Sequence, residues 1–161
     1  MNSNRVRALG VPAVLAALTT GSLTPATATA ATAATASTID PRCRHGRVVC
    51  IDKTTHMLRW MVNGRVELFM SARFGGPRNP TREGTFRIYW KLPHHISHLT
   101  GESMPYSMFF SRGEAVHYSS DFADNGYAHH SSGCVQTRDY RATQELFRAT
   151  EDGDRVVIYR R

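Results

Sequence analysis

Lysine is nearly absent from this chain, since arginine supplies 18 of its 20 basic residues. Cysteine occurs three times and tryptophan twice. Three cysteines are too few to staple a disulfide-rich miniprotein. No internal repeat, heptad pattern or phosphate-binding glycine loop runs through the 161 residues, which argues against solenoids, coiled coils and nucleotide-phosphate sites. The longest apolar run, Ala8 to Leu23, is broken by Gly10, Pro12, Thr19, Thr20 and Gly21 and is too short to span a membrane stably. Acids are also sparse: 13 against 20 bases leaves a charge of +7. What is present, 41% hydrophobic and 20% charged residues, describes a small basic globular domain with room for one core.

The N-terminus reads as a leader. Arg5 and Arg7 precede the apolar run, and an Ala/Thr tract from Pro25 to Ala36 offers small-x-small sites such as Ala34-Thr35-Ala36. Positive, apolar, then small residues is the order of a secretory signal; an uncleaved anchor is the alternative. The expected layout is a signal peptide over 1–36, an N-terminal segment over 37–46 and the functional domain over 47–161. Cleavage after Ala36 leaves 125 residues of charge +5 and no lasting membrane span. An exported, extracytoplasmic chain makes nucleic acid an improbable partner for this charge; a solvated arginine surface or anionic wall polymers fit better.

Export changes how the cysteines read, because thiols outside the cytoplasm tend to oxidise. Cys43 and Cys50 flank a turn-like Arg44-His45-Gly46-Arg47 and are read as a bridge, with two buried thiols as the alternative. Cys134 is then left over. A lone thiol in an exported protein is a candidate nucleophile or an intermolecular cross-link before it is core packing.

The middle of the chain is β-rich. Arg47 to Asp52 is β-branched, and His56 to Val62 alternates Met57, Arg59, Met61 against Leu58, Trp60, Val62. Asn63-Gly64 is a strong hairpin signal returning the chain through Arg65 to Phe74. A Gly/Pro loop over 75–83 leads to an expected single strand from Gly84 to Trp90. Residues 94–105 read as an extended loop. Two short strands around Phe109-Phe110 and Glu114 to Tyr118 flank an Arg112-Gly113 turn. One helix is expected within Asp139 to Thr150, with Thr137 or Asp139 as cap, before a last strand from Arg155 to Tyr159. The pattern predicts a mainly β, sandwich or barrel-like single domain with one or two short helices.

Chemistry-bearing residues concentrate between Val116 and Gln136. His117 lies 17 residues before Cys134, and a thiol becomes a strong nucleophile when an imidazole takes its proton. Gly133 lets a substrate approach the backbone, and N–H groups near Gly133 and Cys134 suit a tetrahedral oxyanion.

These residues resemble the L,D-transpeptidase (YkuD) catalytic domain, whose signature is a His followed 14 to 17 residues later by Ser/Thr-His-Gly-Cys. His117, then Ser131, Gly133, Cys134 and Val135 match it. Pro80-Thr81-Arg82-Glu83-Gly84-Thr85-Phe86, Met104 to Phe110, Thr137 to Tyr140 and Gly153 to Val157 resemble further blocks in the family order. Two positions depart from the pattern: Ser132 replaces a histidine, and Gln136 stands where Asn or Arg is usual. The resemblance implies a peptidoglycan-modifying enzyme without metal, nucleotide or other cofactor. Cys134 would be the nucleophile, His117 the general base and acid, and the backbone of Ser132 and Gly133 the oxyanion site. Tyr118, Ser119, Ser131, Gln136 and His130 would contact substrate; His129 and His130 read first as loop residues near the cleft mouth, with His130 replacing the missing imidazole as the alternative. The implied partners are donor and acceptor stem peptides and carbapenem-type inhibitors, acting on a monomer.

Other readings stay open: a binding-only relative, an L,D-carboxypeptidase in which water resolves the thioester, and a zinc protein using His117, His129, His130 and Cys134. His94-His95-x-x-His98 has metal-like spacing, but its Pro93 and Ser/Thr surroundings argue for a loop.

Overall fold

In a computed structural model, residues 39–161 are described; the expected signal peptide lies outside them, as does any anchor reading. Among the described residues no helix is long and apolar enough to cross a membrane.

The β-rich reading holds for most strands; the run from Gly84 to Trp90 and the unexpected strand at Val135–Thr137 are the exceptions. β1 (Arg47–Asp52) and β2 (Met57–Val62) pair antiparallel, with Val49 opposite Trp60. Asn63 (φ 50°) and Gly64 (φ 82°) turn the chain into β3 (Arg65–Arg73), both in the positive-φ geometry that matches strand twist. The expected strand from Gly84 to Trp90 instead splits into β4 (Gly84–Arg87) and β5 (Trp90–Leu92). Between them Ile88 donates to Asp154 O while Tyr89 donates to Phe109 O. The backbone thus changes partner mid-run, from β9 (Arg155–Tyr159) to β6 (Ser107–Ser111). Propensity sees a continuous run of strand formers and cannot see a change of neighbour.

β6 and β7 (Glu114–Tyr118) form a hairpin over Arg112 (φ 42°) and Gly113 (φ 92°). β8 (Val135–Thr137) runs parallel to β7. The sheet order is β4-β9-β1-β2-β3-β8-β7-β6-β5, one curled sheet of nine strands rather than two separate layers. One face packs Val49, Ile51, Leu58, Trp60, Met70, Val116, Val135 and Ile158 into the main core.

Two α-helices are present among the described residues. α1 (Ser120–Asn125) was not singled out by period, being barely two turns; its signal is Ser119, whose side chain accepts the Phe122 N–H. α2 (Tyr140–Ala149) is the expected helix, capped by Asp139 accepting from Ala142 N–H, with Leu146 fully buried in the core. Lys91 Nζ donates to the Phe147 and Thr150 carbonyls at 2.5 Å each, a cation on the negative end of the helix.

The N-terminal segment closes the opposite side. Cys43 and Cys50 form a disulfide with Cα atoms 5.8 Å apart. Together with Val48, Met61, Val157 and Tyr159 they make a second apolar cluster. Met61, on the strand face opposite Leu58 and Trp60, is thereby buried too, at 1% exposure.

Candidate active site

The parallel pairing of β7 with β8 builds the site. Val116 lies opposite Val135 and His117 opposite Gln136. Alternation then turns Val116 and Val135 into the core and leaves Ala115, His117, Cys134 and Gln136 on the other face. That face forms the floor of a cleft of about 600 Å³, walled by loop residues 78–82, residues 95–104 and the Arg112-Gly113 turn. The two residues separated by 17 positions in sequence thus share one cavity.

His117 is 2% exposed. Its Nδ1 lies 2.7 Å from the Tyr118 carbonyl, which can only accept, so Nδ1 carries the proton and Nε2 keeps its lone pair. Burial, assisted by the charges of His95 and Arg73, pushes its pKa down to about 4. The imidazole is therefore neutral near pH 7. Cys134 packs against Met104, Phe109 and Ala115, with Sγ 4.0 Å from Gly113 O. Burial and the Glu114 and Glu102 charges raise the thiol pKa, opposed by a backbone hydrogen bond from Ala115. At rest the pair is thiol and neutral imidazole.

The loop carrying Cys134 is pinned from its backbone. Ser131 Oγ donates to Cys134 O at 2.6 Å, and Thr81 Oγ1 donates to the same carbonyl at 3.3 Å. Thr81 Oγ1 also accepts the Gly75 N–H at 2.9 Å. Gly133 sits at φ +115°, a conformation that L side chains rarely adopt. Its N–H donates to Ser131 Oγ at 3.2 Å, so this amide must leave Ser131 before it can serve an oxyanion. Ser132 is exposed and lines the cleft.

Gln136 also faces the cleft. Its Oε1 accepts from Arg73 Nε at 2.9 Å and Nη2 at 2.7 Å. Arginine only donates, which fixes the amide oxygen on Arg73 and leaves the amide N–H groups as the free donors. Arg73, 2% exposed, further donates to Gly126 O and Asp121 Oδ2. Hydrogen bonds from His129, Arg73 and Asn125 hold Asp121 well below the usual carboxylate range.

Other expected contacts lie elsewhere. Ser119 caps α1, and the Tyr118 ring stands edge-on to Tyr140; neither lines the cleft. His130 covers Gly76, whose added β-carbon would lie 3.2 Å from the ring. It lines a smaller pocket with His129, Arg73 and Tyr127, not the Cys134 cleft, so it does not replace the imidazole absent at 132. The ligands of the zinc alternative are accordingly split between two pockets, and no metal-holding cluster occurs among the described residues. His95 and His98 do reach the cleft, with ring centroids 5.9 Å apart. Arg73, Glu114 and Glu102 carry no local sequence signal for the site; Arg73 ends a strand that also bears Arg65 and Glu67, and Glu114 opens a strand that also bears His117.

A family model, the L,D-transpeptidase catalytic domain (YkuD), matches residues 46–158. The chain belongs to the L,D-transpeptidase catalytic-domain family. Solved structures agree. An L,D-transpeptidase from Xylanimonas cellulosilytica is 30% identical at TM-score 0.65, with 74% of this chain and 63% of that one covered. One from Stackebrandtia nassauensis is 24% identical at TM-score 0.65, covering 73% and 58%. One from Mycobacterium tuberculosis is 22% identical at TM-score 0.63, covering 71% and 57%. This L,D-transpeptidase domain spans about three-fifths of the length of those structures. No curated protein matches the chain.

Proposed function

We propose that this L,D-transpeptidase domain is a cysteine acyltransferase acting on peptidoglycan stem peptides outside the cytoplasm. The observation that carries the reading is the placement of His117 and Cys134 on one face of paired strands at the floor of a single cleft. Nε2 of His117 takes the Cys134 proton as Sγ attacks the carbonyl of the third stem residue. The Sγ–C bond forms, the C–N bond to the fourth residue breaks, and His117 returns the proton to the departing D-Ala amine. The backbone N–H of Ser132 and, once released from Ser131 Oγ, that of Gly133 hold the oxyanion, typically worth about 3 kcal/mol per donor. Gln136, oriented by Arg73, offers its amide N–H groups to a substrate carbonyl. An acceptor stem amine then resolves the thioester and makes a 3→3 cross-link.

Among the structural neighbours, one L,D-transpeptidase is in complex with imipenem and another carries a faropenem-derived adduct. A carbapenem is therefore the expected covalent inhibitor, through Cys134. The deciding experiment mixes the protein with a purified disaccharide-tetrapeptide and follows it by mass spectrometry. A dimer lacking one D-Ala, absent with Cys134→Ala, is the expected product. D-Ala loss without dimer would make the enzyme a carboxypeptidase, and no change in folded protein would overturn the enzymatic reading.

A further inference from the structure

β7 begins with a carboxylate whose hydrogen bonding the fold leaves incomplete. Glu114 is 8% exposed and lines the cleft beside Gly133 and Cys134. Its Oε1 accepts the Arg82 N–H at 3.3 Å, and a β-carbon added to Gly133 would sit 3.5 Å from that oxygen. Its Oε2 is buried without a hydrogen-bond partner. Arg82 Nε stands 3.7 Å from it, beyond hydrogen-bond reach. The Arg82 side chain is 42% exposed, and one hydrogen bond, Nη1 to Ser111 Oγ at 2.9 Å, is what an incoming cation must break to take its place. A buried carboxylate oxygen lacking a donor is costly, and here it stands in the wall of the cleft that holds the candidate nucleophile. The group that completes it is a cation with N–H donors.

We propose that Glu114 docks the primary ammonium of the acceptor, which displaces Arg82 from Oε2, and takes its proton. This rests on the acyl-transfer reading above. One cation replaces another, so the wall keeps its charge balance. The ammonium gives one proton to the carboxylate, and the freed lone pair forms the C–N bond to the thioester carbonyl as the C–Sγ bond breaks. The second nitrogen proton passes through His117 to Sγ, and Glu114 later releases its own to solvent. Burial raises the Glu114 pKa, against the Arg82 backbone N–H, the neighbouring Ser111 hydroxyl and the charges of Arg82 and Lys53; a carboxyl of higher proton affinity is the better base for this step. With no amine docked, water is left to resolve the acyl group.

The test is binding to Cys134→Ala protein, measured calorimetrically. The probes are a stem tripeptide with a free side-chain amine on its third residue and the same peptide acetylated on that amine. The free amine should bind at least ~10-fold tighter, as desolvated charge pairs do. Adding Glu114→Gln should reduce the preference below about twofold. Arg82→Ala, which removes the competing guanidinium, should tighten the free-amine peptide about threefold by the same reasoning. Equal binding of the two peptides, or a preference that survives Glu114→Gln, overturns the assignment. So does Arg82→Ala weakening both peptides alike, the result of a pair that only fastens the loop. If Glu114→Gln does not fold by thermal melting, the two probes on Cys134→Ala and on its Arg82→Ala form still decide. Failure of the acyl-transfer reading shows separately, as no D-Ala release and no mass adduct on Cys134.

Discussion

The two ends of the curled sheet are built on opposite terms. At the β1-β2-β9 end, the face away from the main core is covered by a disulfide and apolar side chains, with Val48, Cys50 and Val157 fully buried. At the β6-β7-β8 end, the cleft carries a buried neutral histidine and a glutamate with an unpartnered oxygen, against an unpartnered hydroxyl, that of Tyr159, at the clamped end. Each of these buried polar groups costs stability. The histidine and the glutamate sit where a cleft needs them, and the clamped end helps to offset them. The comparison teaches that one domain can separate its stabilising end from its reactive end across a shared core.

Substitutions at the reactive end should change chemistry more than stability. Cys134→Ala should abolish a carbapenem adduct by intact mass while leaving the melting temperature nearly unchanged; an adduct that survives would remove Cys134 from the nucleophile role. His117→Ala should slow acylation at least ~10²-fold, the lower end for a positioned base, measured by single-turnover mass spectrometry. Near-normal rates would shift attention to His95, which also lines the cleft.

His117 also couples the reactive end to stability through pH. Its pKa falls from 6.5 to about 4 on folding, so the unfolded chain binds a proton between those values while the folded chain does not. Stability should therefore drop as pH falls through that window, by about 3 kcal/mol from this group. Urea titrations at several pH values should show the slope, and His117→Asn should flatten it. A slope unchanged in His117→Asn would assign it to other groups.

The clamped end should behave in reverse. Replacing both Cys43 and Cys50 by Ser should cost about 2–3 kcal/mol for so short a loop, read from denaturant midpoints, with acylation of Cys134 unaffected. Slower acylation in that variant would show that the two ends are coupled through the core.

Much of this was legible in order along the chain. The Asn63-Gly64 hairpin, the α2 span and the Cys43–Cys50 pairing follow from local chemistry, because turns, caps and short-range bridges depend on neighbours in sequence. His117 and Cys134 are singled out through a resemblance to a family motif, and their shared cleft follows from the long-range pairing of β7 with β8. Other features depended on partners far away. Ile88 and Tyr89 split a strand because the sheet curls and offers a different neighbour on each side. Ser119 was spent on a helix cap and His130 on covering Gly76, since hydroxyls and rings go to whatever partner packing brings near. The sequence by itself determined most of the strands, the leftover thiol and the family, but neither the break between β4 and β5 nor the short β8. Only tertiary structure decided that His117 is buried and neutral, that Arg73 orients Gln136, and that one oxygen of Glu114 lacks a donor. Burial and hydrogen-bond satisfaction depend on residues brought together from distant parts of the chain, and no local pattern encodes them.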